Sequence, residues 1–262
     1  MRILIISRLG EEVRRSFQAR QLGDLNLPFE FLDAVEATEL TADTCRTAAD
    51  NWPSPTRRQD VACFLSHRRV WQSVIDHGTK TLILEDDAVL SDNIADILGI
   101  IETRDDAWNC AYDLEFAPRP HILRRRHAWT DKPSGFSATR IYQNRVGLAG
   151  YVIGPEAARR MLAETTQYSL IDAFFWHRPW LAAYQIEPAP VIQKRFLEDA
   201  ECADFVRSDI DPVFIPRSRA RKLARRLELE GTKAKNLIVG LIGGEKRNLL
   251  TDRTRFAEPT PT

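Results

Sequence analysis

Three carboxylates in a row, Glu85-Asp86-Asp87, close a short apolar run, Thr81-Leu82-Ile83-Leu84. A run of that length and composition reads as a buried strand. Side chains on a strand alternate faces, which puts Glu85 and Asp87 on one side and Asp86 on the other. Crowding three carboxylates at a strand end costs free energy unless cations or hydrogen bonds compensate. A hard divalent cation, Mn²⁺ or Mg²⁺, is one natural compensation, because it takes oxygen ligands and keeps positions open for phosphate oxygens. A solvated strand exit that binds nothing is the alternative that three adjacent acids leave open.

Other residue types capable of chemistry lie elsewhere in the chain. Asp172 is set among Leu170, Ile171, Ala173, Phe174, Phe175 and Trp176. An acid in apolar surroundings suits a general base, and it equally suits a residue that satisfies helix N-terminal donors. His67 follows Ser66 on a helical stretch, as a contact to a reacting molecule or as a hydrogen-bonded structural residue. Arg14 and Arg15 offer guanidinium groups that match phosphate oxygens, or an exposed helix face. Phe174, Phe175, Trp176, His177 and Trp180 present aromatic faces for a pyranose ring, or packing for a core. Cys45, Cys63, Cys110 and Cys202 form no C-x-x-C pair and no short Cys/His cluster, which argues against a structural zinc site or a disulfide scaffold and for reduced thiols.

These residues need elements to position them. Arg2–Ser7 reads as a buried strand, residues 10–25 as an amphipathic helix, and Phe29–Val35 as a second strand. Residues 59–77 form a strong helix stopped by Gly78. Residues 94–101 read as a helix, 110–116 and 148–153 as strands, and 155–164 as a helix opened by Pro155. Residues 118–137, with Arg124-Arg125-Arg126-His127, give no element. Alternating strands and helices indicate an α/β layered fold with a mostly parallel central sheet.

The chain has 262 residues, enough for one large domain, and Lys plus Arg equal Asp plus Glu at 37 each. That balance gives no support to a nucleic-acid-binding module, which calls for a basic domain. A phosphoryl-transfer enzyme calls for a glycine-rich phosphate loop, and none is present. The charge is unevenly spread: from Arg217 onward there are 12 basic and 5 acidic residues, and before it 25 basic against 32 acidic. Residues 1–215 therefore read as the main domain. Residues 216–262 read as a basic helical C-terminal extension, helical over 218–229, with a disordered end at 258–262. No apolar stretch reaches membrane-spanning length, so the expected location is cytoplasmic. The basic stretch 217–235 suits an anionic membrane surface, at which the chain would be peripheral.

Six blocks, in this order, resemble glycosyltransferase family 25, bacterial enzymes that add sugars to the lipopolysaccharide or lipooligosaccharide core. Ile5-Ile6-Ser7 with Arg14-Arg15 is similar to the family's opening strand and arginine pair. Phe29-Glu30-Phe31-Leu32-Asp33-Ala34-Val35, Cys63-Phe64-Leu65-Ser66-His67 and Leu82-Ile83-Leu84-Glu85-Asp86-Asp87 are similar to its next three blocks. Gly150-Tyr151-Val152-Ile153 with Ala157-Ala158, and then Ile171-Asp172, complete the match. Ser7-Arg8 departs from the family's usual Asn-Leu. The resemblance implies a GT-A type nucleotide-sugar-binding fold and a UDP-sugar donor of galactose or glucose. It also implies a lipid-linked core oligosaccharide acceptor at the inner face of the inner membrane. It makes Asp87 a direct metal ligand, with Glu85 or Asp86 touching the metal through water or accepting from the donor ribose, beside the phosphate contacts that Arg14 and Arg15 offer. In an inverting transfer Asp172 would be the base. A non-catalytic adaptor of envelope biogenesis, or another metal-dependent nucleotide-processing enzyme, is the competing expectation.

Overall fold

The computed structural model describes residues 1–143, 147–165, 170–197 and 213–256. Cys202 and the end at 258–262, for which disorder is expected, lie outside the described residues. The chain begins with β1 (Arg2–Ser7), α1 (Glu12–Asp24), β2 (Glu30–Asp33), α2 (Ala42–Asp50), α3 (Arg58–His77) and β3 (Thr81–Glu85). It continues through β4 (Ala88–Leu90), α4 (Ile94–Thr103), β5 (Cys110–Asp113), β6 (Glu115–Phe116), β7 (His121–Arg124), β8 (Trp129–Thr130) and β9 (Ser137–Gln143). The remaining elements are β10 (Gly150–Ile153), α5 (Pro155–Glu164), α6 (Ile171–Trp176), β11 (Ala182–Glu187), β12 (Val191–Gln193), α7 (Arg219–Gly243) and β13 (Gly244–Arg247).

Ten strands make one sheet in the order β13-β7-β9-β11-β5-β10-β3-β1-β2, with β8 paired to β9. Its centre is three layers thick, and the alternation of side chains along the strands decides which layer each residue joins. Leu4, Ile6, Ile83, Tyr151 and Ile153 face α3, α5 and α6 through Phe64, Trp71, Ala157 and Phe175. Ile3, Ile5, Leu82, Leu84 and Val152 face the other side, with Leu22 of α1 and Ile94, Ile97, Leu98 and Ile101 of α4. Trp71 and Trp176 are the largest fully enclosed side chains, and truncating either to Ala costs about 3–5 kcal/mol. Gly78 caps α3 at φ 75°, where its N–H reaches Val74 O at 3.0 Å. A β-carbon is disfavoured at that φ, which is why the helix stops there.

The expectation of a mostly parallel sheet is corrected. β1 is parallel to β2 and β3, and β11 to β5, but β10 lies antiparallel between β3 and β5. β9, β7, β8 and β13 also join antiparallel. A short apolar run carries no mark of its own direction, so local pattern alone does not separate the two pairings. Residues 118–137, read as without an element, hold β7 and β8. Residues 110–116, read as one strand, divide into β5 and β6. The C-terminal helix runs on to Gly243 rather than ending near residue 229. Residues 244–247 then supply a strand of the main sheet, so the region after 216 is not helical alone.

One topological feature positions the site. β1, β2, β3, β5 and β11 all point the same way, as their pairings require. Their C-terminal ends therefore share one edge, the place where open α/β sheets bind ligands. Three of these strands cross from that edge into a second sheet of order β4-β12-β6. The chain passes from β3 into β4 through Asp86-Asp87, from β5 into β6 through Leu114, and from β11 into β12 through residues 188–190. Three joints thus lie side by side.

Candidate active site

At the first joint β3 ends at Glu85, and Asp86-Asp87 make the turn into β4. Asp86 points toward β1 and α1. Its carboxylate accepts from Ser7 Oγ at 2.8 Å and from Arg14 Nη1 at 2.9 Å, and it is only 7% exposed. Burial raises its pKa, with Arg14 and Ser7 pulling the other way. The turn is held from below by two buried glutamines of α1. Gln18 Nε2 donates to Asp86 O at 3.2 Å and Ala88 O at 2.7 Å. Gln21 receives Leu90 N–H at 2.8 Å and donates to Ala88 O at 3.1 Å.

Glu85 points to the other face, toward α3. Its Oε1 lies 3.6 Å from His67 Nε2. The His67 ring is fully enclosed. Its Nδ1 is 2.9 Å from Tyr151 Oη, which also accepts from Trp71 Nε1 at 3.0 Å. Glu85 is thus the residue of the acidic turn that lies beside His67.

Asp87 differs from both. Its Oδ1 is buried with no hydrogen-bond partner. Burial pushes its pKa up to about 7, Glu85 and Asp86 add to the rise, and Arg14 and Arg195 offset part of it. The second joint adds two more acids. Glu115, the first residue of β6, is 3% exposed and accepts from Ala149 N at 2.8 Å. Burial raises its pKa well above the usual carboxylate range, followed by Asp113, with Glu85 and Asp87 contributing. Asp113 is buried, accepts from Glu115 N at 3.0 Å, and is raised for the same first reason. Gly147 lets the chain pass over Glu115 at φ 82°, where a β-carbon would stand 2.2 Å from Oε2. Only glycine fits there.

The orphaned Asp87 oxygen and the surplus of buried carboxylates are the donor chemistry that a hard divalent cation requires. Asp87 and Glu85 are the residues suited to hold it. At the third joint the arrangement is different. Glu187, 2% exposed, pairs through both oxygens with the Arg247 guanidinium and accepts from Leu250 N at 3.0 Å.

Arg14 is engaged with Asp86. Arg15 donates to Ser7 O and Arg8 O at 3.1 Å each, pairs with Asp33, and stacks over Phe31 with its guanidinium carbon 4.8 Å from the ring centre. Arg14 braces the turn after β3 and Arg15 the end of β1. Asp172 is half-buried in the first turn of α6, where its Oδ1 accepts from Ala173 N at 2.7 Å. Among the described residues no hydrogen bond or ion pair joins it to the acids of the joints. It stands on the same small helix as Trp176, whose Nε1 donates to Gly147 O at 2.6 Å, so α6 flanks the second joint. Phe174, Phe175 and Trp176, weighed as a sugar platform, are core residues instead. Trp180 stacks on Trp108, ring centres 5.7 Å apart.

Sequence reasoning missed Glu115, Asp113, Gln18 and Gln21. A signal existed for each pair: two acids within an otherwise apolar strand, and two amides on the buried face of an amphipathic helix. The absence of a short Cys/His cluster is also corrected. Cys63 and His67, four residues apart, share one face of α3 with Glu85 opposite, all three ligand atoms lying within 4.8 Å of one another.

Residues 1–176, two thirds of the chain, match the model of glycosyltransferase family 25 (LPS biosynthesis protein). The chain belongs to glycosyltransferase family 25. Among its relatives is the lipooligosaccharide biosynthesis protein lic2B of Haemophilus influenzae, 26% identical over 72% of this chain and 75% of that protein. The lacto-N-neotetraose biosynthesis glycosyltransferase LgtE of Neisseria gonorrhoeae is 24% identical over 97% and 94%. A putative glycosyltransferase of Haemophilus influenzae is 31% identical over 72% and 69%. The matched region includes α1, β3, the first two joints and α6, and so every acid of the site except Glu187. No described helix is long and apolar enough to cross a membrane.

Proposed function

We propose that this chain transfers a hexose, galactose or glucose, from a UDP-sugar to a lipopolysaccharide or lipooligosaccharide core acceptor, with inversion. The observation that carries this reading is Asp87: a half-buried carboxylate with one enclosed, unpartnered oxygen, at the C-terminal edge of a parallel group of strands, in a family 25 chain. Asp87 and Glu85 would hold Mn²⁺ or Mg²⁺, which when bound supplies positive charge against the diphosphate leaving group. The chain's own residues supply the rest. Asp86, held by Ser7 and Arg14, would orient the donor nucleoside. Glu115 and Asp113, buried beneath the edge and held by the backbone N–H groups of Ala149 and Glu115, would form its floor. Asp172 is the base that takes the acceptor hydroxyl proton as that oxygen attacks the anomeric carbon.

The names of the relatives support an envelope oligosaccharide as acceptor. α7 supports delivery at an anionic membrane surface. Arg219, Arg221, Lys222 and Arg226 are exposed on its first half, and Leu241 and Ile242 are 70% and 76% exposed near its end. Each basic residue near such a surface contributes roughly 1 kcal/mol, screened within about 10 Å at 0.1 M salt. Removing the whole region after residue 215 would also remove β13 and Arg247, so charge neutralisation is the cleaner test. With all four basic residues changed to Gln, sedimentation with anionic vesicles should fall while turnover on a soluble oligosaccharide stays.

The deciding experiment is a screen of UDP-sugars with Mn²⁺, scoring UDP release with and without core oligosaccharide. Acceptor-dependent release that EDTA abolishes is the expected result. Release that ignores both acceptor and EDTA overturns the reading.

A further inference from the structure

Cys63, His67 and Glu85 form a second group of ligand atoms, chemically distinct from the all-oxygen set at Asp87. Their ligand atoms all lie within 4.8 Å of one another, and His67 Nε2 is 3.6 Å from Glu85 Oε1. Tetrahedral bonds of about 2.0–2.3 Å to sulfur, nitrogen and oxygen set ligand atoms roughly 3.3–3.7 Å apart. The group therefore closes on an ion by a movement of about 1 Å or less.

The imidazole is already oriented for this. Nδ1 is taken by Tyr151 Oη, itself held by Trp71 Nε1, as the outer nitrogen of a metal-bound histidine usually is. Nε2 is left inside a fully buried side chain with no hydrogen-bond partner, directed at Glu85. A separation of 3.6 Å is beyond hydrogen-bond range. Cys63 and Glu85 are partly exposed, which gives an ion a way in. Thiolate, imidazole and carboxylate together select a borderline-soft ion over Mg²⁺ or Mn²⁺.

We infer that Cys63, His67 and Glu85 are three protein ligands of a site for Zn²⁺, with the fourth position open to solvent. Glu85 is shared with the cation proposed at Asp87, so a zinc ion that takes both its oxygens competes with that cation. That consequence rests on the donor reading above; the binding itself does not.

The test uses the full chain, stripped of metal by a chelator, with Co²⁺ as a spectroscopic probe. One equivalent should produce a near-ultraviolet thiolate-to-cobalt band and visible tetrahedral bands, both removed by Zn²⁺. Cys63→Ser should abolish the thiolate band, and His67→Asn should weaken binding at least tenfold. Asp87→Asn should leave the spectrum and affinity within about twofold, which separates this site from the acidic turn. Because the His67 ring is buried and its variant is at risk of misfolding, alkylation of Cys63 in the unsubstituted protein is measured alongside, by peptide mass. Zinc should slow it at least tenfold. A cobalt spectrum without the thiolate band, a band that survives Cys63→Ser, dependence on Asp87, or alkylation indifferent to zinc each overturns the site.

Discussion

The three joints between the two sheets are alike in topology and opposite in electrostatics. At the third, Glu187 is buried against Arg247, which meets both its oxygens. At the first and second, Asp87, half-buried with one enclosed oxygen, and the fully buried Asp113 and Glu115 lack a cation that meets both oxygens, and burial pushes all three up in pKa. Arg14 meets Asp86 at the first joint and Arg247 meets Glu187 at the third, whereas Asp87, Asp113 and Glu115 have no ion pair among the described residues. A paired carboxylate fastens the fold, whereas an unpaired one stores an affinity for something brought from outside.

Breaking that contrast at Asp87 should have the largest effect. Asp87→Asn keeps the size of the side chain and removes its charge, and should lower turnover by a factor on the order of 10³ or more. The fold should stay intact by circular dichroism. Full activity in this variant ends the metal role of the turn. The reverse experiment makes the third joint resemble the other two. Arg247→Met leaves Glu187 buried and unpaired, which should cost about 3–5 kcal/mol in urea unfolding. The double change Glu187→Gln with Arg247→Met should recover most of that loss. No recovery would mean that Arg247 acts through its packing.

Asp172 lies outside all three joints, so it asks whether the joints are sufficient. Asp172→Asn should lower turnover by a factor on the order of 10² with donor affinity little changed. A collapse of donor affinity with turnover preserved would make Asp172 a binding or helix-start residue.

The smallest effect is on stability against pH. Asp87 rises from 3.8 to about 7 on folding, so between those values the native state holds a proton that the unfolded state has released. Its contribution to stability is therefore largest at the acid end of that window and declines as pH rises to about 7, with no further change above it. The metal-free Tm should fall between pH 5.5 and 7.5 more steeply in the unsubstituted protein than in Asp87→Asn. Mn²⁺ at pH 7.5 should restore it only where Asp87 is present. Parallel slopes in the two proteins would remove Asp87 from the account.

Much of the fold was legible where strong local signals agree. β1 and α5 match their predicted limits, and α3 and β3 come within one residue, because continuous apolar runs meet Pro155 or Gly78. The rest depends on partners distant in sequence. The direction of β10 is set by its place between β3 and β5. β4, β6 and β12 have two or three residues each, too few to show a period. α7 runs beyond its predicted end because Gly231 is tolerated within it at a cost of only about 1 kcal/mol. In the site, the acidic turn was legible because three acids after an apolar run are conspicuous. Glu115 was not, because its burial depends on Gly147 crossing above it and on Ala149 meeting its carboxylate.

The pairing of Glu187 with Arg247 spans 60 positions, and that separation gives it a meaning in time. Chains fold from the N-terminus as they leave the ribosome. The strands that bear Ser7, Asp33, Glu85 and Asp113 emerge first, β11 follows, and Arg247 arrives only after the whole of α7 has been made. Until then one acid of the edge has no counter-charge and the outer flank at β7 lacks its neighbour. β13 therefore joins last of the described strands of this sheet, and until it pairs, β7 is the sheet's outer strand.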